Sequence, residues 1–201
     1  MNKDLEKWPE LDIAAYGRPC FGERVNGDMA FADQKEEWVF LAIVDGLGHG
    51  KEAHKIATIT KTFLQQYWDP DVTGTLLKLH EKLKGTGGAA VGLAALDLNN
   101  CIIHYTGIGN TVIRKFGSSH KRMFSREGVV GVRMRTPKEQ QLAIQKSEVV
   151  LLYSDGISEN FEAKDYPRLQ IHSAQLVAKN IVRKFGNQFD DSTCLVLKLK
   201  P

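Results

Sequence analysis

Hydrophobic and polar positions along this chain switch between two periods, and the switches mark its elements. Val39-Phe40-Leu41-Ala42-Ile43-Val44 is an unbroken apolar run, too short for a helix and without a polar face, so Trp38 to Val44 reads as a strand buried on both sides. Val149 to Tyr153 and Thr193 to Leu199 have the same character, and Leu11 to Tyr16 and Met29 to Asp33 are two further candidate strands. Between Lys51 and Trp68 the period becomes helical. Ala53, Ile56, Ala57, Thr60, Phe63, Leu64 and Tyr67 recur at the spacing of one helix face. Asp69-Pro70 stops that helix, because proline disfavours helical backbone in the residue before it. Val72 to Leu83 predicts a second helix with Leu76, Leu77, Leu79, His80 and Leu83 as its apolar face, and Ser173 to Phe185 a third with Leu176, Val177, Asn180, Ile181 and Lys184 in register.

Short strands fill the middle: Gly88 to Leu96, Ile102 to Thr106, Thr111 to Phe116 and Gln141 to Gln145. Asp97-Leu98-Asn99-Asn100 and Gly107-Ile108-Gly109-Asn110 are hairpin-type connectors between them. Runs of strands separated from helix pairs argue for a layered α+β fold rather than a doubly wound sheet. No repeat, linker or low-complexity stretch divides residues 1–201, so one domain is expected.

Composition narrows the class. At 201 residues, 42% hydrophobic and 25% charged, the chain is of ordinary globular type. A net charge of +3 with no basic run argues against a nucleic-acid partner. Cys20, Cys101 and Cys194 form no CxxC pair, which argues against a zinc site or a disulfide framework; Cys194 reads as a core residue. Met1 to Glu10 has no apolar signal-like region, and Ala89 to Leu98 is far short of a membrane span, so a cytoplasmic protein without a membrane partner is expected. Trp8, Trp38 and Trp68 have no stacking companions and read as packing residues, and His54, His80, His104 and His172 lack ligand spacing.

Against this background the carboxylates stand out. The central apolar run ends in Asp45-Gly46-Leu47-Gly48-His49-Gly50, and Val149 to Tyr153 ends in Ser154-Asp155-Gly156. Asn26-Gly27-Asp28 and Asp190-Asp191 add two more acidic sites beside strands. Taken one at a time, such an acid more often caps a helix or opens a turn than binds a metal. Together, four oxygen-donor sites at strand ends point to one hard-cation site for Mg²⁺ or Mn²⁺. Gly85 to Gly88 lacks the Gly-Lys-Ser/Thr ending of a P-loop and reads as a tight strand entry. There is no GxSxG nucleophile elbow and no catalytic-cysteine context.

The ordered set Asn26-Gly27-Asp28, Asp45-Gly46-Leu47-Gly48-His49-Gly50, Ser154-Asp155-Gly156 and Asp190-Asp191-Ser192-Thr193 resembles the metal-dependent type 2C protein phosphatases, and most of all their bacterial sporulation and stress-response branch. Gly85 to Ala90 and Tyr105 to Asn110 resemble further segments of that branch, and the likeness spans roughly Gly22 to Leu199. It implies a four-layer α-β-β-α sandwich, two antiparallel sheets flanked by helix pairs, with two Mn²⁺ or Mg²⁺ ions at one end. By the same resemblance Asp45 bridges both ions, Gly46 offers a backbone carbonyl, Asp28 reaches the centre directly or through water, and Asp155 and Asp190 are ligands. Asp191 ranks below Asp190, since many relatives have Asn there. Two such ions offset the charge of a phosphomonoester dianion and aim an activated water at it. Glycines at 46, 48 and 50 let backbone approach the ions and the phosphate.

The chain departs from the wider family in two places. Where eukaryotic members have a phosphate-binding arginine, the register here falls on Glu23, with Arg24 next to it as either a substitute or a surface residue. Where they have a histidine after Asp-Gly, this chain has Leu47; His49, two residues on, either starts the following helix or lies near the ions. Only 34 residues separate Asp155 from Asp190, leaving room for no more than a short substrate-recognising flap. A small domain with these motifs resembles the stand-alone feedback phosphatases of the stressosome. That implies a monomeric protein-serine/threonine phosphatase acting on phosphorylated STAS-domain scaffold proteins in partner switching. The alternatives are a phosphatase of a phosphorylated anti-sigma-factor antagonist and a non-catalytic pseudophosphatase that only binds.

Overall fold

The strands that the sequence marks as apolar throughout are those sandwiched between two cores. In the computed structural model, which describes residues 11–200, one sheet runs in spatial order β1 (Leu11–Arg18), β12 (Ser192–Leu199), β11 (Val149–Tyr153), β6 (Val112–Phe116) and β7 (Lys121–Phe124). The other runs β10 (Gln140–Ala143), β5 (Ile102–Ile108), β4 (Ala89–Asp97), β3 (Trp38–Gly46) and β2 (Asp28–Lys35). Neighbouring strands within both sheets are antiparallel. Trp8 lies outside the described residues.

Side-chain alternation divides the apolar residues between layers. Val39, Leu41 and Ile43 of β3 meet Leu195 and Leu197 of β12 and Val150 and Leu152 of β11 in the core between the sheets. The intervening Phe40, Ala42 and Val44 pack under α1 (Gly50–Tyr67) and α2 (Val72–Leu83). On the far side, Val149, Leu151 and Tyr153 with Cys194 and Val196 pack under α3 (Ala174–Phe185). A strand with both faces covered has no reason to alternate polar with apolar, which is why these runs are continuous.

The layers are therefore helix, sheet, sheet, helix. One outer layer holds a pair, α1 and α2. The other holds, among the described residues, the single α-helix α3 and a 3₁₀ turn at Ala163–Asp165 in place of the expected second helix. The segment between β11 and α3 is short, and Ser154 to Ser173 is taken up by turns. Two helix faces also differ from expectation. α2 buries Val72 and Thr75 beside Leu76, Leu79 and Leu83, while Leu77 faces solvent. α3 buries Ala174, Val177, Ala178, Ile181 and Val182, leaving Leu176 and Lys184 outside. Small alanines fit closely against the sheet, and the longer side chains lie at the flank.

Trp68 packs as predicted. Its ring stacks on Phe40 at 5.0 Å between centroids, and its indole N–H donates to Asp33 at 2.8 Å. Trp38 lies edge-on to His104, and the three cysteines are free. The connector after β4 is closed by Asp97, whose carboxylate accepts from the backbone N–H groups of Asn99 and Asn100. Strand β7 and the small hairpin β8 (Gly128–Val129) with β9 (Arg133–Met134) carry too little apolar pattern to be found from sequence. No described helix is long and apolar enough to cross a membrane.

One buried ion pair ties β6 to the turn that launches β11. Lys115 Nζ lies 2.9 Å from Glu148 Oε2 with both side chains almost fully buried, and Ser118 and the Gln145 N–H also donate to that carboxylate. Removing one partner strands the other charge in the interior. Lys115→Met is expected to lower stability by about 3 kcal/mol, and the Lys115→Met/Glu148→Leu double variant to recover most of it. Urea denaturation of the three proteins checks both outcomes.

Candidate metal centre

Strand pairing brings the acids together. Asp28 opens β2 directly opposite Asp45 near the end of β3. In the other sheet Tyr153, the last residue of β11, pairs with Cys194 of β12, so Asp155 just after one strand and Asp191 just before the other meet at the same edge. The N–H of Ser154 donates to the Thr193 carbonyl and continues that pairing. The ends of two strand pairs, remote in sequence, thus face each other at one end of the sandwich.

Glycines set the closeness. A Cβ on Gly46 would stand 2.5 Å from the Ala53 carbonyl oxygen, and one on Gly27 would meet both Ala53 Cβ at 2.6 Å and Asp191 Oδ2 at 2.7 Å. The first turns of α1 therefore press on the strand ends that bear Asp28 and Asp45, and only glycine fits between them.

Asp28 is buried and its contacts are specific. Its Oδ2 accepts from Ser154 Oγ at 2.6 Å, while the Thr193 N–H donates to that same hydroxyl at 3.0 Å. Its own N–H donates to Asn26 Oδ1, and the Asn26 amide in turn donates to Thr193 Oγ1. Asp28 Oδ1 is buried without a hydrogen-bond partner. Asp191 repeats the arrangement: Oδ1 accepts from the Cys20 N–H at 2.9 Å, and Oδ2 is buried and unpartnered. Asp155 accepts from the Asn110 side-chain amide, and Asp190 accepts from the Asp191 N–H.

Crowding shows in the protonation of the cluster. Burial is the largest cause raising the Asp28 carboxyl, to about 7; the Ser154 hydrogen bond opposes it, and the Asp191 and Asp155 charges add to it. Asp45 is raised by burial and then by Asp28, Asp155 and Asp190, and it shares a hydrogen bond with Asp155. Loss of hydration and the charge of Asp190 also raise Asp155, although much of its side chain reaches solvent. The acids interact as overlapping pairs, with Asp190 on the Asp45–Asp155 side and Asp191 on the Asp28 side. Among the described residues no three His, Cys, Asp or Glu side chains converge into a closed ligand set.

Two buried carboxylate oxygens without partners, in an all-oxygen donor set, fit a hard divalent cation. Sequence reasoning missed the supporting residues Asn26, Asn110, Ser154 and Thr193, whose neutral polar side chains look like ordinary turn chemistry until the ends of the strands are superposed. The remaining residues make contacts of their own. His49 is exposed at the start of α1 with Nδ1 2.9 Å from Glu23, and Arg24 is exposed. His54 bonds the Asn26 carbonyl, His80 accepts from the Gly131 N–H, and His104 and His172 pair with Glu139 and Tyr166.

A family model described as Stage II sporulation protein E (SpoIIE) matches residues 35–200. No curated protein matches the chain. Among solved structures, it is similar to a chain described under the bacterial stressosome as a modular system adapted to control secondary messenger signaling, with TM-score 0.87 and 24% identity, covering 94% of this chain and 99% of that one. It is similar to RsbX in complex with magnesium, with TM-score 0.83 and 18% identity over 97% and 98% of the two chains. It is also similar to the catalytic domain of the serine threonine protein phosphatase PstP in complex with two manganese ions, with TM-score 0.71 and 15% identity over 95% and 99%. These likenesses identify the fold as that of the PP2C phosphatases.

A raised carboxyl reverses the usual acid sensitivity. Because Asp28 holds its proton up to about pH 7 in the folded state against 3.8 unfolded, the folded chain binds more protons between those values. Its stability falls as pH rises through that window. In EDTA, the melting temperature is expected to be higher at pH 5.5 than at pH 8, and Mn²⁺ to stabilise more at pH 8, where it no longer competes with protons. Thermal scans at both pH values, with and without Mn²⁺, check this. Ser154→Ala leaves Asp28 Oδ2 buried and unpaired and is expected to destabilise the chain by about 1–3 kcal/mol, read by chemical denaturation.

Proposed function

The chain belongs to the stage II sporulation protein E family, and from that premise we propose that it is a metal-dependent protein-serine/threonine phosphatase acting on a phosphorylated STAS-domain protein in a cytoplasmic partner-switching pathway. The observation that supports this best is the meeting of Asp28, Asp45, Asp155, Asp190 and Asp191 at one end of the two sheets, with Asp28 Oδ1 and Asp191 Oδ2 buried and unpartnered. The stressosome and RsbX likenesses support the choice of partner. The magnesium and manganese of two relatives support the choice of cation.

In this reading two divalent cations would be held by Asp45, which would serve both, with Asp28, Asp155 and Asp190 as further carboxylate ligands, the Gly46 carbonyl as a backbone ligand, and Asp191 on the Asp28 side. When bound, such cations would supply positive charge to offset a phosphate dianion and would activate water toward it. The chain's own part is positioning. Ser154 and Thr193 hold Asp28 so that Oδ1 is the oxygen left free, the Cys20 N–H does the same for Asp191 Oδ2, and Asn110 orients Asp155. Arg24, exposed near the acids in sequence, is the cation offered to the substrate phosphate. His49, held by Glu23, stands at the start of α1 on the rim, on the substrate side of the site. All the acids are present, which favours an enzyme over a binding-only relative.

Hydrolysis of para-nitrophenyl phosphate is expected with Mn²⁺ or Mg²⁺, to vanish in EDTA and to return on adding metal; activity that persists in excess EDTA sinks the reading. Asp45→Asn is expected to lower kcat by about a thousandfold, since one carboxylate serves both ions. Asp190→Asn is expected to be more damaging than Asp191→Asn, because Asp190 lies on the Asp45–Asp155 side. Steady-state kinetics of the three variants decide the order.

A further inference from the structure

Two phenylalanines stand in water beside the acidic cluster. Phe21 is 80% exposed and Phe189 71% exposed, although an aromatic ring of this size favours burial strongly. Their loops are tied together: the Phe21 N–H donates to the Gln188 carbonyl at 2.8 Å. Both loops are also tied to the acids. Cys20 donates its N–H to Asp191, and Asp190 and Asp191 directly follow Phe189. On its other side the Cys20–Arg24 loop reaches the Asp45-Gly46-Leu47-Gly48-His49-Gly50 turn through the Glu23–His49 contact, next to Leu47, itself 59% exposed. The loop thus forms a rim that runs from one sheet's acids to the other's and presents apolar side chains outward.

We propose that Phe21 and Phe189 are specificity-determining residues: they dock an apolar surface of a folded phosphoprotein around its phosphorylated side chain. The proposal rests on the phosphatase reading of the same site. The acids and their cations fix what the centre of the contact must be, a phosphomonoester. The rings fix what surrounds it, because they adjoin that centre and their backbone is pinned, so little ordering entropy is lost on contact. A free phosphate or a small aryl phosphate has no apolar surround to offer and gains nothing from them. A folded partner with apolar side chains flanking its phosphoserine or phosphothreonine buries both rings at once, in the manner of aromatic interface anchors.

The test compares the wild type, Phe21→Ser/Phe189→Ser, and the control Ile171→Ser. Ile171 is equally exposed, but lies where Lys198 binds the neighbouring carbonyls of Gln170 and His172, at the opposite end of β12. The ratio of kcat/KM on a phosphorylated STAS-domain protein to kcat/KM on para-nitrophenyl phosphate is expected to fall about tenfold in the double variant, equivalent to about 1.4 kcal/mol, and less than twofold in the control. An unchanged ratio, an equal fall in the control, or a wild type that turns over the STAS protein no better than a phosphopeptide of the same site overturns the proposal. Calorimetric binding of the same phosphoprotein to Asp45→Asn, with and without the two serine substitutions, reads docking apart from catalysis. An about tenfold weaker Kd supports the rim even if para-nitrophenyl phosphate is not hydrolysed, which would sink the phosphatase reading alone. An unchanged Kd overturns the rim.

Discussion

Like charges held close together at the end of a packed sandwich are the constraint around which this molecule is organised. Five aspartates from four remote segments share one edge, and burial and mutual repulsion push Asp28 and Asp45 far above ordinary carboxyl behaviour. Such a cluster is unfavourable for the isolated chain, and only a rigid scaffold keeps it from spreading. In the proposed reading a divalent cation would convert the same repulsion into affinity.

The scaffold meets that demand through strands whose both faces are buried. Because β3, β11 and β12 each pack against the opposite sheet on one face and helices on the other, their ends have little freedom, and the acids at those ends inherit it. Gly27 and Gly46 let α1 press on the Asp28 and Asp45 strands from outside. Ser154, Thr193 and Asn26 then cross-link the two sheets with hydrogen bonds that also decide which carboxylate oxygen is satisfied and which is left for a ligand. Structure and chemistry use the same atoms here, so a change in either network disturbs both.

The rim follows a different physics. Around the acidic cluster the Cys20–Arg24 loop and the turn before β12 leave aromatic rings in water while their backbones are held. A pinned exposed ring contributes little to folding and much to a contact. In the proposed reading the centre would supply the reaction and the rim the choice of partner.

Much of this was legible in the sequence. Continuous apolar runs marked β3, β11 and β12, helical periodicity marked α1, α2 and α3, and the Asp-Gly endings of the runs marked the acids, because burial on both faces and helix repeat are local properties of a strand or a turn. The limits of α2 were predicted to the residue. The faces were read less well: Leu77 and Leu176 look apolar in register but lie outside, since neighbouring alanines and threonines fit the sheet more closely. Strands β7, β8 and β9 are too short and polar to leave a pattern. What only the tertiary structure decided is which atoms meet. That Ser154 satisfies one oxygen of Asp28, that Cys20 satisfies one of Asp191, and that Phe21 and Phe189 stand together depend on contacts between segments up to 171 residues apart. Such contacts are set by sheet register and layer packing, which no local spacing encodes.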